Sequence, residues 1–479
     1  MNKNDKKKIV ILGAGVTGMT AAYALSKKGF DTTVIEKNDF VGGLASSFLY
    51  KDYYLDYGPH NFHTHQPWVI KFLEDELDVN LKKMPSRPAK IFFNGQIVDY
   101  PINILNCLRR INLIVSLRCF IDFLFARIRI KLRRNVQDES FEDWVENRFG
   151  KYLYDIYFGS YVEKVWGIPG YELDAVIAKK RIPEPSFLSL IVRALTKVRL
   201  GMKHSEDPHV TGSYYPISGG IGSITDKFAQ RIVRYNGKIE LNSVIQGITI
   251  NKAGGRVNYS IDNIPKEIEF DYLVNTMPLN SFIYYLTNPL TGKNLPDPSF
   301  FVYRGIIFLY LVLSRSKLTD HPWIYFNERN NKDLIFNRMY EVSNFTSMKM
   351  DDKDGIICLE ISCYKDDAVW KKTDSELFDS CISFLEKNNF LNRPDVKEYF
   401  AKRVDVAYPV FRKGYLKHLN SILNYIGELG NVFTIGRQGL FSYANIDHCI
   451  DMGLRLGKLI ESGDLNKNKF LEVYKDYME

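Results

Sequence analysis

Lys8-Ile9-Val10-Ile11-Leu12-Gly13-Ala14-Gly15-Val16-Thr17-Gly18-Met19-Thr20-Ala21-Ala22-Tyr23-Ala24-Leu25 decides the fold. Lys8 to Leu12, rich in β-branched residues, reads as a strand, the glycines as a turn, and the run after them as an amphipathic helix. Gly13 permits the tight turn, Gly15 lets backbone approach a pyrophosphate, and Gly18 lets the helix lie close on the strand. The helix N-terminus then offers free N–H groups and partial positive charge to phosphate. A second strand, Thr32-Thr33-Val34-Ile35, ends on Glu36, an acid placed about 20 residues past the turn to bond a ribose hydroxyl. An ordinary glycine-rich turn is the alternative; strand, helix, second strand and acid in register favour a dinucleotide site.

The chain has 479 residues, too many for one compact core, which points to two or three domains. With 64 basic against 56 acidic residues it is no polyelectrolyte; the net charge of +8 suits an anionic substrate or a membrane surface. No stripe of aromatics interleaved with arginine suggests nucleic acid. Aromatic content of 14% suits walls around a flat or ringed ligand, or an aromatic-rich core. Six cysteines without a CxxC pair argue against zinc or a disulfide framework and fit a reducing compartment. The lysines at 6–8 precede an apolar run too short for a signal peptide. The expected localisation is cytoplasmic, with peripheral contact at the inner membrane face as an option.

A second glycine loop, Val41-Gly42-Gly43-Leu44, follows Glu36, and Ile91 to Pro101 reads as a hairpin turning at Asn94-Gly95. Helical patterns dominate from Asn103 to about Leu195. Strands return at Lys238-Leu241, Ile248-Ile250, Tyr272-Asn275 and Val432-Ile435. The expected class is α/β (α+β): a discontinuous Rossmann-type nucleotide-binding domain with an inserted helical and mixed-sheet substrate domain. The expected parts are the nucleotide domain over 1–90, 206–290 and 426–479, a mainly helical cap over 91–205, and a mixed-sheet substrate region over 291–425. Asn112 to Asn135 is apolar and ends in basic residues, but Arg118 and Asp122 interrupt it, so it does not span a bilayer. It is expected to be a buried domain helix with a solvated basic end; weak contact with anionic lipid is the alternative.

Taken with the segment Gly436-Arg437-Gln438-Gly439-Leu440-Phe441, the two glycine loops resemble the superfamily of FAD-dependent amine oxidases, protoporphyrinogen oxidases and UDP-galactopyranose mutases. The resemblance implies that FAD is held by Gly13, Gly15, Gly18, Glu36, Gly43, Leu44, Val244, Gly436, Arg437 and Asn445, with Thr276-Met277-Pro278 returning beside the flavin. Gly58-Pro59-His60-Asn61-Phe62-His63-Thr64 is similar to the mutase loop that lies against the flavin. Glu163-Lys164-Val165-Trp166-Gly167 with Lys180-Arg181-Ile182-Pro183 resembles the segment lining the substrate cleft. Asn337-Arg338-Met339-Tyr340-Glu341 resembles the strand bearing an arginine for a diphosphate, and Tyr443-Ala444-Asn445-Ile446-Asp447 the motif that closes the family pattern. This chain lacks the second arginine that mutases carry after the proline at 183, and Phe441 stands where they commonly have tyrosine.

His60, His63 and His65 have no cysteine or acid cluster nearby, so no metal site is expected. The resemblance makes His60, Arg338 and Tyr443 the catalytic candidates, and Tyr161, Trp166, Arg181, Arg338 and Tyr443 the substrate contacts. An ion pair with Glu341 is the alternative for Arg338, and core packing the alternative for Tyr161 and Trp166. A guanidinium gives bidentate, permanently charged recognition of a diphosphate. The expected activity is flavin N5 chemistry on a nucleotide-activated sugar in glycan biosynthesis, as a ring-contraction mutase or a redox variant. The alternative is hydride transfer to flavin from an amine, alcohol or polycyclic substrate.

Overall fold

A computed structural model of the protein describes residues 6–85, 88–99, 113–132, 137–182, 213–251, 253–287, 295–328, 333–346 and 354–478. Arg133, Arg134, Pro183 and Pro185 lie outside the described residues.

A five-stranded sheet runs in the order Lys238–Glu240, Asp31–Ile35, Lys8–Leu12, Tyr272–Asn275, Val432–Thr434, and every neighbouring pair is parallel. Lys8–Leu12 is buried from Ile9 onward, as the near-continuous apolar run of an inner parallel strand requires. The chain leaves it on one side towards Asp31–Ile35 and returns on the other at Tyr272–Asn275, so the strand order reverses beside Leu12. Crevices for ligands open at the carboxyl ends of strands at such a switch point. Strands distant in sequence, from 8–35, 238–275 and 432–434, thus build one layer.

The second large sheet has seven strands, in the order Val396–Pro409, Tyr303–Leu313, Gly355–Cys363, Arg338–Glu341, Trp323–Phe326, Lys90–Phe93, Gln96–Asp99. Tyr303–Leu313 is buried along its whole length, and its alternation shows why. Ile307, Leu309 and Leu311 pack under the helix Asp374–Lys387 with Phe378 and Phe384, whereas Ile306, Phe308 and Tyr310 pack with Leu44, Phe48 and Tyr57. A period of two places these sets on opposite faces. The Asn94-Gly95 turn forms with both φ positive, at 49° and 73°, which suits a two-residue hairpin. That hairpin joins the seven-stranded sheet through Lys90–Phe93 and Trp323–Phe326, so its strands lie with the 291–425 region rather than with the helical stretch after it.

The helices Phe141–Phe149, Gly159–Trp166 and Ala175–Arg181 stand beside this sheet. Arg304, buried in the sheet, donates to the carbonyls of Val165, Lys164 and Ser362 at 3.3, 3.1 and 2.9 Å, holding the end of Gly159–Trp166 in place. The helix Leu113–Leu132 corrects the sequence reading. Ala126 and Asp122 face the protein, but Ile114, Leu117, Ile121, Phe125, Ile128 and Leu132 are exposed. Among the described residues no helix is long and apolar enough to cross a membrane.

Candidate functional site

The two glycine loops meet at the switch point. Gly15 bridges Gly42, and the Gly42 amide donates to the Ala14 carbonyl at 2.8 Å. Gly13 has φ of +99°, and a Cβ there would stand 2.7 Å from Thr276 Oγ1. A Cβ on Gly18 would drive into the Gly13 carbonyl oxygen, so packing demands glycine at both positions. Gly15 differs: its φ is −68°, and a Cβ would meet nothing within 4 Å. Neither backbone nor packing requires a glycine there, and the space it leaves faces the N-terminus of Val16–Lys27, whose first turn has no acid to compete for an anion.

Glu36 is buried at the edge of this space. One carboxylate oxygen accepts from the Ala14 amide at 2.7 Å and the other from the amide and side chain of Asn38 at 2.9 and 2.8 Å. Val244 lies on the strand that leaves Glu36, since the Ser243 amide donates to the Glu36 carbonyl at 2.8 Å; its side chain is exposed. Gly436, with φ of +85°, brings its Cα so near Thr17 that a Cβ would be 2.6 Å from Oγ1. Gly43 is close to Gly15 Cα, and Leu44 turns into the aromatic layer of the seven-stranded sheet. Asn445, exposed, stands at the N-cap of Ile446–Ser462.

Several polar atoms near this crevice are cut off from water and have no partner: His60 Nδ1, Asn61 Oδ1, Arg437 Nε and Gln438 Oε1. Buried polar atoms are normally hydrogen-bonded, so such a group marks a place where a ligand supplies the partners. Arg437 uses only Nη1, which donates to the Ala444 carbonyl at 3.2 Å. Burial lowers its guanidinium from the usual value, with the Tyr408 and Tyr443 rings opposing. Burial, then the charges of Arg338 and Arg437, push the His60 imidazole down to about 4, so it is neutral at neutral pH. The open space at Gly15 and these unpartnered atoms fit a bound dinucleotide cofactor. Among the described residues no group of His, Cys, Asp or Glu is arranged to hold a metal.

Beyond the crevice, residues distant in sequence converge. The Trp166 indole donates to the Tyr443 hydroxyl at 3.0 Å, and that hydroxyl donates to the Pro409 carbonyl at 2.7 Å. The Arg181 guanidinium lies 5.0 Å from the Tyr443 ring centre and 5.3 Å from that of Trp166, and Arg437 approaches the same tyrosine at 5.1 Å. The Tyr443 hydroxyl therefore already has its proton on the Pro409 carbonyl and its oxygen on the Trp166 indole. Tyr161 meets Tyr325 edge-on at 6.1 Å, and Tyr325 lies opposite Arg338 in the sheet.

Arg338 is paired, though not with Glu341. Its partner is Glu360, on the adjacent strand; the Glu341 carboxylate accepts from the Leu318 amide instead, at 2.9 Å. Burial pushes the Glu360 carboxyl up and Arg338 pulls it back; burial alone would lower Arg338, and Glu360 together with Tyr408 and Tyr325 more than reverses that. Sequence reasoning missed Glu360, although a lone acid within Ile356-Ile357-Cys358-Leu359-Glu360-Ile361 signals a buried, paired charge. It also missed Asp56, which accepts from Ser47 Oγ, Tyr215 OH and the Ile221 amide at 2.5, 2.6 and 3.1 Å and whose burial pushes it up to about 6. With the Gly222 amide on Ser47 Oγ, these bonds pin the loop 218–222 to the strands Ser47–Tyr50 and Tyr53–Asp56.

A parallel sheet with glycine loops at its switch point, covered by a mixed sheet and helices, defines a Rossmann-type nucleotide-binding protein with a second layer over the crevice. Residues 11–75 match the family described as NAD(P)-binding Rossmann-like domain. The chain is 32% identical over 183 residues to a probable UDP-galactopyranose mutase from Klebsiella pneumoniae, an alignment covering 37% of this chain and 45% of that protein. It is 24% identical over 296 residues to protoporphyrinogen oxidase 2 from Arabidopsis thaliana, covering 57% and 58% of the two chains. The alignments thus take in about half the length of these curated relatives. A crystal structure of reduced UDP-galactopyranose mutase superposes with a TM-score of 0.80 at 21% identity, covering 98% of this chain and 97% of that one. The homologues are enzymes, and the chain has their fold.

Proposed function

We propose that this chain is a FAD-dependent enzyme acting on a nucleotide-activated sugar, with the crevice at Gly13–Gly18 for the cofactor and the Trp166–Arg181–Tyr443 group for the substrate. One observation carries the reading: two guanidinium groups flank a single tyrosine ring beside the nucleotide crevice, and among the described residues Arg181 has no acidic partner. A cation held on aromatic faces and left without a counter-ion is poised for an anion such as a diphosphate.

In this reading Glu36 receives the ribose hydroxyls, the N-terminus of Val16–Lys27 and the Gly436 turn receive the pyrophosphate, and Arg437 Nε and His60 Nδ1 face the ring system. Bound FAD supplies an N5 atom able to act as nucleophile or hydride acceptor. Trp166 and Tyr443 form an aromatic wall that excludes water and orients the sugar, Tyr161 and Tyr325 extend it, and Arg181 holds the diphosphate. His60, kept neutral, orients the flavin without adding charge.

A second reading, flavin-dependent oxidation of an amine, alcohol or polycyclic substrate, is favoured by Glu360, which removes the net charge of Arg338 that a diphosphate would use. Titrating the dithionite-reduced holoprotein with UDP- and dTDP-sugars separates the two. A perturbed flavin spectrum with saturable binding, weakened by Arg181→Ala, is the expected result. No response to any nucleotide sugar, with bleaching of oxidised flavin by an uncharged substrate, overturns the first reading in favour of the second.

A further inference from the structure

The helix Leu113–Leu132 packs against Phe141–Phe149 and Lys151–Leu153 through one face only. Asp122 is turned inward, where its carboxylate accepts from the Tyr152 amide at 2.6 Å, and Ala126 is 4% exposed. The other face carries Ile114, Leu117, Ile121, Phe125, Ile128 and Leu132, spaced by steps of three or four residues, with exposures reaching 76% at Ile114, 66% at Phe125 and 78% at Leu132. This is a continuous apolar stripe one helix long, unlike the isolated apolar residues that any surface shows. Arg118 and Arg129 border it: Arg118 rests 4.4 Å from the Tyr152 ring, and Arg129 reaches the Asn147 side chain at 3.0 Å.

We propose that this helix docks the protein on an anionic lipid surface, the stripe entering the acyl boundary and the bordering arginines meeting the headgroups. Charge selects this occupant. From 113 to 134 the sequence has Arg118, Arg127, Arg129, Lys131, Arg133 and Arg134 against the single acid Asp122, and that acid faces inward. A second copy laid antiparallel on the stripe would set Arg118 against Arg129, like charge on like charge, whereas a negative bilayer complements both. An apolar face bounded by basic residues on a helix unable to span is the arrangement that lies in the plane of a membrane interface.

The test is co-sedimentation of the full holoprotein with phosphatidylcholine vesicles, with and without phosphatidylglycerol, at low and high salt. Binding is expected with phosphatidylglycerol only, weakened by salt. Ile121→Glu with Phe125→Glu is expected to lower partitioning about tenfold or more. Arg118→Gln with Arg129→Gln is expected to weaken binding to phosphatidylglycerol vesicles and its dependence on salt, Arg127, Lys131, Arg133 and Arg134 remaining. Both double variants change exposed side chains, so unchanged circular dichroism and flavin content check their folding. The proposal is overturned if the wild type stays in the supernatant, or if the Glu double variant sediments like the wild type. It is equally overturned if ultracentrifugation finds a dimer that this variant dissolves while vesicles capture nothing, which assigns the stripe to a second copy.

Discussion

Arg338 and Glu360 face each other across neighbouring strands, and the guanidinium gives Nε and Nη2 to the two carboxylate oxygens at 2.9 and 2.8 Å. Glu360 is 1% exposed and Arg338 largely covered, so the pair is mostly withdrawn from water. The arginine whose strand resembles a diphosphate-binding segment is therefore already neutralised by a carboxylate of the neighbouring strand. Breaking a buried pair strands the remaining charge, at a cost of about 3–5 kcal/mol, whereas replacing both partners by apolar groups is often near neutral. Glu360→Leu and Arg338→Met alone are each expected to lower urea stability by that order, and the double variant to recover most of it. Two independent, additive losses would show that the ion pair does not organise the strand pairing.

Tyr443 and Arg181 divide differently. With its proton on Pro409 and its oxygen accepting from Trp166, the Tyr443 hydroxyl is a structural post, and its ring is what Arg181 and Arg437 use. Tyr443→Phe removes two hydrogen bonds and is expected to cost about 1–3 kcal/mol in stability. Nucleotide-sugar affinity should then stay within about threefold, because the ring remains beneath the cation. Arg181→Ala is expected to reverse the pattern, with stability nearly unchanged and affinity at least about tenfold weaker. Isothermal titration of both variants with UDP-galactose decides; loss of binding in Tyr443→Phe with retention in Arg181→Ala would return the phosphate contact to the hydroxyl.

What was legible in the sequence was local. The Gly13–Gly18 turn, the Glu36 strand end and the Asn94-Gly95 hairpin are set by backbone conformation and short spacing, and each forms where its residues predict. The partner of Arg338 was not legible, because strand register places Glu360 beside it while Glu341, three residues away, turns elsewhere. Helix Leu113–Leu132 was misread for another reason. It is apolar on both faces, Ala126 inward and Phe125 outward, so composition could not say which face the protein covers. The arginine–aromatic group of Trp166, Arg181, Arg437 and Tyr443 was named residue by residue through resemblance; its hydrogen-bond direction needed coordinates.

His60 predicts a pH signature. Its imidazole sits near 4 in the fold, against the usual 6.5 when unfolded, because burial and then Arg338 and Arg437 oppose the proton. Between these values the unfolded chain binds a proton that the folded chain refuses, so this group's contribution to stability is whole above about 6.5 and falls as pH drops towards 4. His60→Asn should therefore show a shallower loss of stability than wild type over that window and parallel behaviour above it. Identical slopes from pH 7 to 4 would mean that the imidazole titrates normally and that the two arginines do not act on it. Other titrating groups, Asp56 among them, are common to both proteins and cancel in the difference.

Gly15 and Gly18 separate a glycine kept for a ligand from one kept for packing. At Gly18 a Cβ meets the Gly13 carbonyl oxygen, a backbone atom that cannot step aside, so Gly18→Ala is expected to disrupt the turn and the folded yield with it. At Gly15 a Cβ meets no protein atom within 4 Å and φ is already −68°. Gly15→Ala should then leave the stability of flavin-free protein within about 0.5 kcal/mol, or raise it slightly by restricting the unfolded chain. The cost appears only when the cofactor is present, since a methyl group would stand where backbone must approach the pyrophosphate. Purified Gly15→Ala is thus expected to carry much less flavin, read from visible absorbance against protein, and to lose most of the thermal shift that added FAD gives the wild type. Full flavin content in Gly15→Ala would place the pyrophosphate elsewhere than over this turn, and a comparable loss of folded yield in both variants would show that Gly15, like Gly18, is needed for packing.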